Sequence, residues 1–201
     1  MDADKARILG KSIELFKHFG VKAVTMDQVS SACGISKKTL YKYVENKVDL
    51  LKQSFDMAAN RMKVLLGEAL GAEKGNAIDK LFALEHFAEH MLRGEEDRLM
   101  NQLGTYYPEV AGEVNKAREE LVMNFTRANL KEGIAQGLYR DDLNIEYISI
   151  LYYGHILAVH ESVVTRETLD FNGLRKASLR YHIRGIASSK GLDYLNKRLT
   201  Q

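Results

Sequence analysis

The chain has 201 residues, is 45% hydrophobic and carries a formal net charge of +2, so it is nearly neutral and can bury a core as one domain or two small ones. Its longest loosely apolar run, Ile148 to Val159, is broken by Ser149 and His155 and falls short of the roughly 20 residues that cross a bilayer. The opening MDADKARILG lacks the apolar core of a signal peptide, and the single cysteine, Cys33, cannot form an internal disulfide or by itself a metal cage. A soluble cytoplasmic protein without a membrane segment is therefore expected. Its charge is uneven: residues 1–50 hold nine Lys and Arg against six Asp and Glu, and the remainder twenty against twenty-one.

Apolar residues recur at helical spacing almost throughout, and only one proline interrupts them, so the chain is expected to be all-α. Ala6, Leu9, Ile13 and Phe16 form the first stripe, which Gly20 ends. Thr25 caps a short second helix with Met26, Val29 and Cys33 inward, and Gly34 breaks it. Ser36 caps a third helix reaching Val44. Asn46 caps a long fourth, with Leu51, Phe55, Ala58, Met62 and Leu65 inward, running to about Leu66. The glycines of Gly67 to Ala77 predict a loop, followed by a helix from Ile78 to Leu92 that Arg93 and Gly94 close. Pro108 starts another long helix, with Val114, Ala117, Leu121, Phe125 and Ala128 inward.

Ile145 to Val163 carries two apolar stripes: Ile145, Ile148, Tyr152, Ile156 and Val159, and separately Leu151, Gly154 and Ala158. A helix apolar on two sides needs two partners, its own core and a second subunit. A last helical region runs from Phe171 through Leu174, Ala177, Tyr181 and Ile186. A homodimer is expected through the helices at about 145–164 and 171–189. The functional boundary falls near Asp49, giving domains 1–48 and 49–201.

The basic end concentrates in ISKKTLYKYVENK, Ile35 to Lys47. On a helix advancing about 100° per residue, Leu40 and Val44 share the buried side, with Ile35 in the turn beside them. Lys38, Thr39 and Lys42 lie broadly opposite, and Tyr41 and Tyr43 emerge about 80° to either side of the buried centre. Such a helix suits the major groove of DNA, with donors for base edges and hydroxyl-tipped rings for the phosphates of the groove walls. The helix N-termini at Thr25 and Ser36 offer free N–H groups to phosphate.

From Arg7 to Leu51 the chain resembles the DNA-binding domain of TetR-family transcriptional regulators. The resemblance rests on LF-x-x-x-G at Leu15 to Gly20, V-x-x-x-C-G-I-S at Val29 to Ser36, and T-L-Y-x-Y-V-x-N-K-x-x-L-L from Thr39. It implies a helix-turn-helix domain followed by a larger helical domain for effector binding and dimerisation. It also implies phosphate contacts from Thr25, Tyr41, Tyr43 and Lys47, and base contacts from Lys37, Lys38, Thr39 and Lys42. Val44 stands where most members have phenylalanine and Cys33 where alanine is usual, both as core changes. The resemblance implies a repressor that a small-molecule ligand releases from a palindromic operator; it implies no cofactor and no catalysis.

Ligand-lining candidates come from local chemistry alone: Phe87, His90, Met91, Phe125, Tyr152 and His155, with Tyr106, Tyr107 and Tyr153 as further aromatic possibilities. A different class is suggested by His86-Phe87-Ala88-Glu89-His90, a literal H-x-x-E-H in which His86 and His90 would bind zinc and Glu89 would activate water. That hydrolase reading needs a third ligand and a substrate-binding strand, neither of which the pattern supplies. An architectural helical domain is a third possibility, opposed by the ordered Thr25, Gly34, Tyr41 and Lys47 pattern.

Overall fold

A computed structural model describes residues 2–72, 75–91, 95–165 and 170–200; among these, the side chains of residues 90, 91, 95–97, 160 and 163–165 lie outside the description. The described residues form ten helices: α1 (Ala3–Phe19), α2 (Met26–Ala32), α3 (Lys37–Leu40), α4 (Lys47–Ala72), α5 (Ala77–Met91), α6 (Glu95–Tyr106), α7 (Pro108–Ala135), α8 (Ile145–Thr165), α9 (Phe171–Ile186) and α10 (Ser189–Leu199). None is long and apolar enough to cross a membrane.

The chain packs as two units: Met1–Leu65 with Leu92–Arg118, and Leu66–Met91 with Glu119–Gln201. In the first, Ile8, Leu9 and Phe16 of α1 meet Val29, Leu40 and Val44, and the same core takes in Leu50, Leu51 and Phe55 of α4, Leu99 and Leu103 of α6 and Val110 of α7. Local signals set the elements. The Thr25 hydroxyl accepts from Gln28 N–H while Gln28 Oε1 accepts from Thr25 N–H, a reciprocal capping box. Gly20 closes α1 at φ +86°, and its N–H donates to Phe16 O. Residues other than glycine rarely adopt that backbone. Gly34 takes φ +64° in the turn between α2 and α3. Asn46 Oδ1 accepts from Asp49 N–H, and Asp49 Oδ2 from Glu45 N–H, starting α4.

The second unit is built on Ile78, Leu81, Leu130, Tyr139, Tyr152, Leu179, Ile183 and Leu195. Two polar links join it. Tyr139 donates its hydroxyl to Asn129 Oδ1 at 3.0 Å, and Asn129 donates to Ala77 O at 2.8 Å. Asp79 accepts from Tyr194 at 2.7 Å and Arg198 at 2.5 Å, which ties α10 to the start of α5.

Four expectations are corrected. α3 proper ends at Leu40 rather than Val44, because Lys42 and Tyr43 bond to Thr39 O and Leu40 O, three residues back, in a tighter turn that keeps the helical rotation. α4 continues to Ala72, through residues read as loop: Gly67 and Gly71 sit in it with open space around them, and one glycine lowers helix stability by only about 1 kcal/mol. α6 and α10 form where no helix was expected. On α7, Ala117 and Ala128 are exposed, whereas Thr126 and Asn129 are buried. Their hydrogen bonds, to Val122 O and Ala77 O, make those polar residues inward-facing.

The two stripes of α8 stand as expected. Tyr152 is buried and Ile145, Ile148, Ile156 and Val159 are half-buried, while Leu151, Gly154 and Ala158 are exposed.

Candidate nucleic-acid interface and a buried polar cluster

The first unit positions every residue singled out between Thr25 and Lys47. Leu40 is fully buried and Val44 nearly so; Ile35 is half-buried beside them. Lys38, Tyr41 and Lys42 are exposed and Tyr43 is half-buried. Lys37 pairs with Asp27 across the helix-turn-helix. Ser36 accepts from Thr39 N–H at 3.0 Å and shares a hydroxyl–hydroxyl bond of 2.9 Å with the Thr39 side chain. Both hydroxyls are therefore engaged in capping, as is that of Thr25. Burial, with the carboxylates of Asp2 and Asp4 nearby, pushes the Tyr43 phenol above its ordinary value.

Lys47 reaches back from the first turn of α4. Its ammonium donates to Lys22 O at 3.1 Å and lies 5.6 Å from the centre of the Tyr107 ring. Lys22 sits over Tyr106 at 4.7 Å, and Gln102 Oε1 accepts from Val21 N–H at 3.0 Å. A side chain on Gly20 would strike that same Gln102 carboxamide. Tyr106 and Tyr107, considered above as pocket aromatics, belong instead to the first unit, where they hold the Gly20–Lys22 turn and Lys47.

The ligand-lining candidates divide. Tyr152 is buried and stacks on His182 with ring centres 4.1 Å apart, and His155 lies 5.9 Å from the Tyr181 ring. Phe87 and Phe125 are half-buried. The side chains of His90 and Met91 lie outside the described residues. Burial, then the neighbouring His155, lowers the His182 pKa to about 4, so that imidazole is neutral at physiological pH. Burial, assisted by the Glu85 carboxylate, raises the Tyr152 phenol.

Beside these rings stands a group that sequence reasoning did not assemble. Arg175 of α9 lies 3.0 Å from Glu85 and 3.6 Å from Glu89, both on α5, with only 14% and 11% of the Arg175 and Glu85 side chains exposed. The Arg175 Nη2 to Glu85 Oε1 approach is close enough for an ion pair, yet it is misaligned as a hydrogen bond. Nε, Nη2 and Oε1 are all buried without a hydrogen-bond partner, as is His155 Nδ1. Such groups ordinarily cost about 1–3 kcal/mol each, so the arrangement is polar strain kept in the interior. The spacing of Glu85 and Glu89, one helical turn apart, was the one signal in the sequence; the partner is ninety residues away.

The same contact corrects the hydrolase reading. Glu89, which would have to activate water, faces Arg175, His86 is exposed, and the His90 side chain lies outside the described residues. Among the described residues no three His, Cys, Asp or Glu side chains gather as metal ligands.

Comparison with known proteins agrees with the helix-turn-helix. Residues 8–53 match the model for bacterial regulatory proteins of the tetR family. The chain is 30% identical to the uncharacterized HTH-type transcriptional regulator YerO of Bacillus subtilis over 203 aligned positions, covering 89% of this chain and 68% of that one. Its fold is that of a TetR-family transcriptional regulator from Cytophaga hutchinsonii (TM-score 0.76, 14% identity, 94% of this chain and 99% of that one). It is also that of the regulator FadR from Bacillus subtilis, solved with stearoyl-CoA (TM-score 0.69, 20% identity, 90% and 98%).

Proposed function

Since the chain belongs to the TetR family of bacterial transcriptional regulators, we propose that it is a cytoplasmic homodimeric repressor that grips a palindromic operator and is released by a small-molecule ligand. The observation that carries this reading is the capped turn of α3, with Lys37, Lys38, Thr39, Tyr41 and Lys42 displayed away from buried Leu40 and Val44. Lys37, Lys38, Thr39 and Lys42 read base edges, while Tyr41, Tyr43 and Lys47 hold the phosphates. Because the Thr25 and Ser36 hydroxyls are spent on caps, these two residues serve phosphate through the N–H groups of the helix ends they shape.

One helix-turn-helix touches too few base pairs for useful affinity, so two copies must act on half-sites about 34 Å apart. The face that joins them is exposed on α8 and α9: Tyr147, Ile150, Leu151, Gly154 and Leu157, with Ala177, Tyr181 and Gly185. Residues 1–48 and 49–201 divide the labour, the former reading DNA and the latter sensing ligand and dimerising. The ligand is sensed in the second unit beside Tyr152, His155 and Phe125; stearoyl-CoA in the FadR crystal supports a ligand-holding role for this fold. The long α4 passes from one unit to the other at Leu65–Leu66 and so carries the change to the reading heads.

A palindromic site selected from random duplexes and titrated by fluorescence anisotropy at several salt concentrations tests the reading. Lys47→Ala should weaken all sequences alike and flatten the salt dependence by about 2 ions per dimer, whereas Lys37→Ala should alter base preference at one position of each half-site. Failure of the wild-type dimer to retain any duplex at low salt would sink the proposal.

Asp27 makes a separate prediction. Its pair with Lys37 is exposed and so adds little to stability, but its charge opposes the approach of phosphate. Asp27→Asn is expected to leave the melting temperature almost unchanged and to raise affinity for any duplex by about 3- to 10-fold. Weaker binding by that variant would instead make the carboxylate a necessary guide for Lys37.

A further inference from the structure

The buried polar cluster has a sign. Glu85 and Glu89 project from successive turns of α5, and the described residues set one guanidinium, Arg175, against these two carboxylates. His182, stacked on Tyr152, has its pKa lowered to about 4 by burial and adds no positive charge. Among the described residues of the cluster the charges sum to a negative excess, which a third anion would deepen and a cation would balance. Arg175 also fills its place imperfectly, because Nε and Nη2 donate to nothing and Glu85 Oε1 accepts nothing, although all three atoms are buried. Tyr152, stacked on His182, lies near enough for the Glu85 carboxylate to act on its phenol. The Glu89 side chain is 28% exposed and is the edge of the cluster that meets solvent.

We propose that Glu85 and Glu89 are the receptor for an organic cation with N–H donors on a flat apolar body, and that Arg175 occupies this receptor as an internal substitute for it. The inference rests on the reading of the chain as a ligand-released regulator and names the chemistry of that ligand. An amidinium or guanidinium head entering past Glu89 sets two aligned N–H groups on the carboxylates, and its apolar body lies against the Tyr152–His182 stack. Arg175 is displaced. Its contact is an ionic tie between α5 and α9, so displacement loosens α9 against α5, and α9 is the helix whose other side displays the exposed Ala177, Tyr181 and Gly185 proposed for the second subunit. Effector chemistry and dimer geometry thus meet on one helix.

Benzamidinium and benzoate are planar, nearly equal in size and opposite in charge, and so isolate the sign of the site. The full-length dimer is melted and calorimetrically titrated with each at matched ionic strength, and operator occupancy is followed in parallel. Benzamidinium is expected to raise the melting temperature and lower occupancy, and benzoate to do neither. Glu89→Gln, on the exposed edge, should weaken benzamidinium about tenfold, and Glu85→Gln with Glu89→Gln should abolish its binding. Arg175→Met should strengthen it about tenfold by removing the competitor; should that variant fail to fold, the Glu89→Gln comparison decides alone. Stabilisation by benzoate, no binding of benzamidinium, or benzamidinium affinity indifferent to Glu89→Gln would each overturn the proposal. Operator capture by the ligand-free dimer is read in the same series: its loss would refute the regulator reading, whichever way the benzamidinium result falls.

Discussion

Leu151→Glu is expected to leave each protomer folded, to convert the dimer to monomers, and to lower operator affinity by about 10²- to 10⁴-fold. Leu151 is 61% exposed on the outer stripe of α8, so a carboxylate there disturbs no intramolecular packing. Across a twofold interface the same residue recurs on the partner, and each charge would be buried against apolar side chains or drive the faces apart. The loss in DNA affinity follows because the second reading head would no longer be held at high effective concentration after the first has landed. Sedimentation velocity and far-ultraviolet circular dichroism separate the two effects. A variant that stays dimeric would move the interface off the outer stripe, and a monomer that keeps full operator affinity would remove the need for two heads.

Phe16→Ala is expected to destabilise the protein by about 3–5 kcal/mol. Phe16 is among the largest fully buried side chains of the first unit, at the last turn of α1, where Val21, Val24 and the apolar side of α4 share its core. Removing the ring leaves a cavity among side chains already fixed by the Gly20 cap and the Gln102 bond, so little relaxation can fill it. Since a whole domain is stable by only about 5–15 kcal/mol, the variant should show a markedly lower urea midpoint and lose DNA binding near its melting temperature. A shift below about 1 kcal/mol would mean that the first unit repacks freely around the vacated space.

What could be foreseen and what could not differ in range along the chain. Thr25, Ser36 and Asn46 cap helices through bonds to residues three positions away, and Gly20 and Gly34 permit turns by their own backbones, so residues 1–65 could be laid out from neighbours alone. The outer stripe of α8 was equally local. The misreadings arose where a started helix tolerates glycine or where distant contacts decide. Gly67 and Gly71 remain helical because each lowers the stability of an already started helix by only about 1 kcal/mol; Thr126 and Asn129 face inward because Val122 O, Ala77 O and Tyr139 answer them. Glu89 looked like part of a zinc motif until Arg175, eighty-six residues on, supplied its partner. Of the ligand-lining residues named from aromatic content, Tyr152 lies near Glu85 of the polar cluster, and His155 neighbours Tyr181 and His182. Glu85 had only its spacing from Glu89 to announce it, and Arg175 and His182 had no local pattern at all.

The first unit draws its core from two separated stretches of chain, since Leu99, Leu103 and Val110 complete the packing around Phe16 and Leu40. Transplanting the reading head onto another regulator therefore calls for a graft with two crossovers rather than one. A chimaera joined at Asp49 alone would set this α1 against a foreign α6, with Gly20 facing a stranger in place of Gln102. Carrying residues 92–118 along with 1–65 would keep the head intact, and Lys37, Lys38 and Lys42, whose side chains lie outside that core, could then be varied without disturbing it.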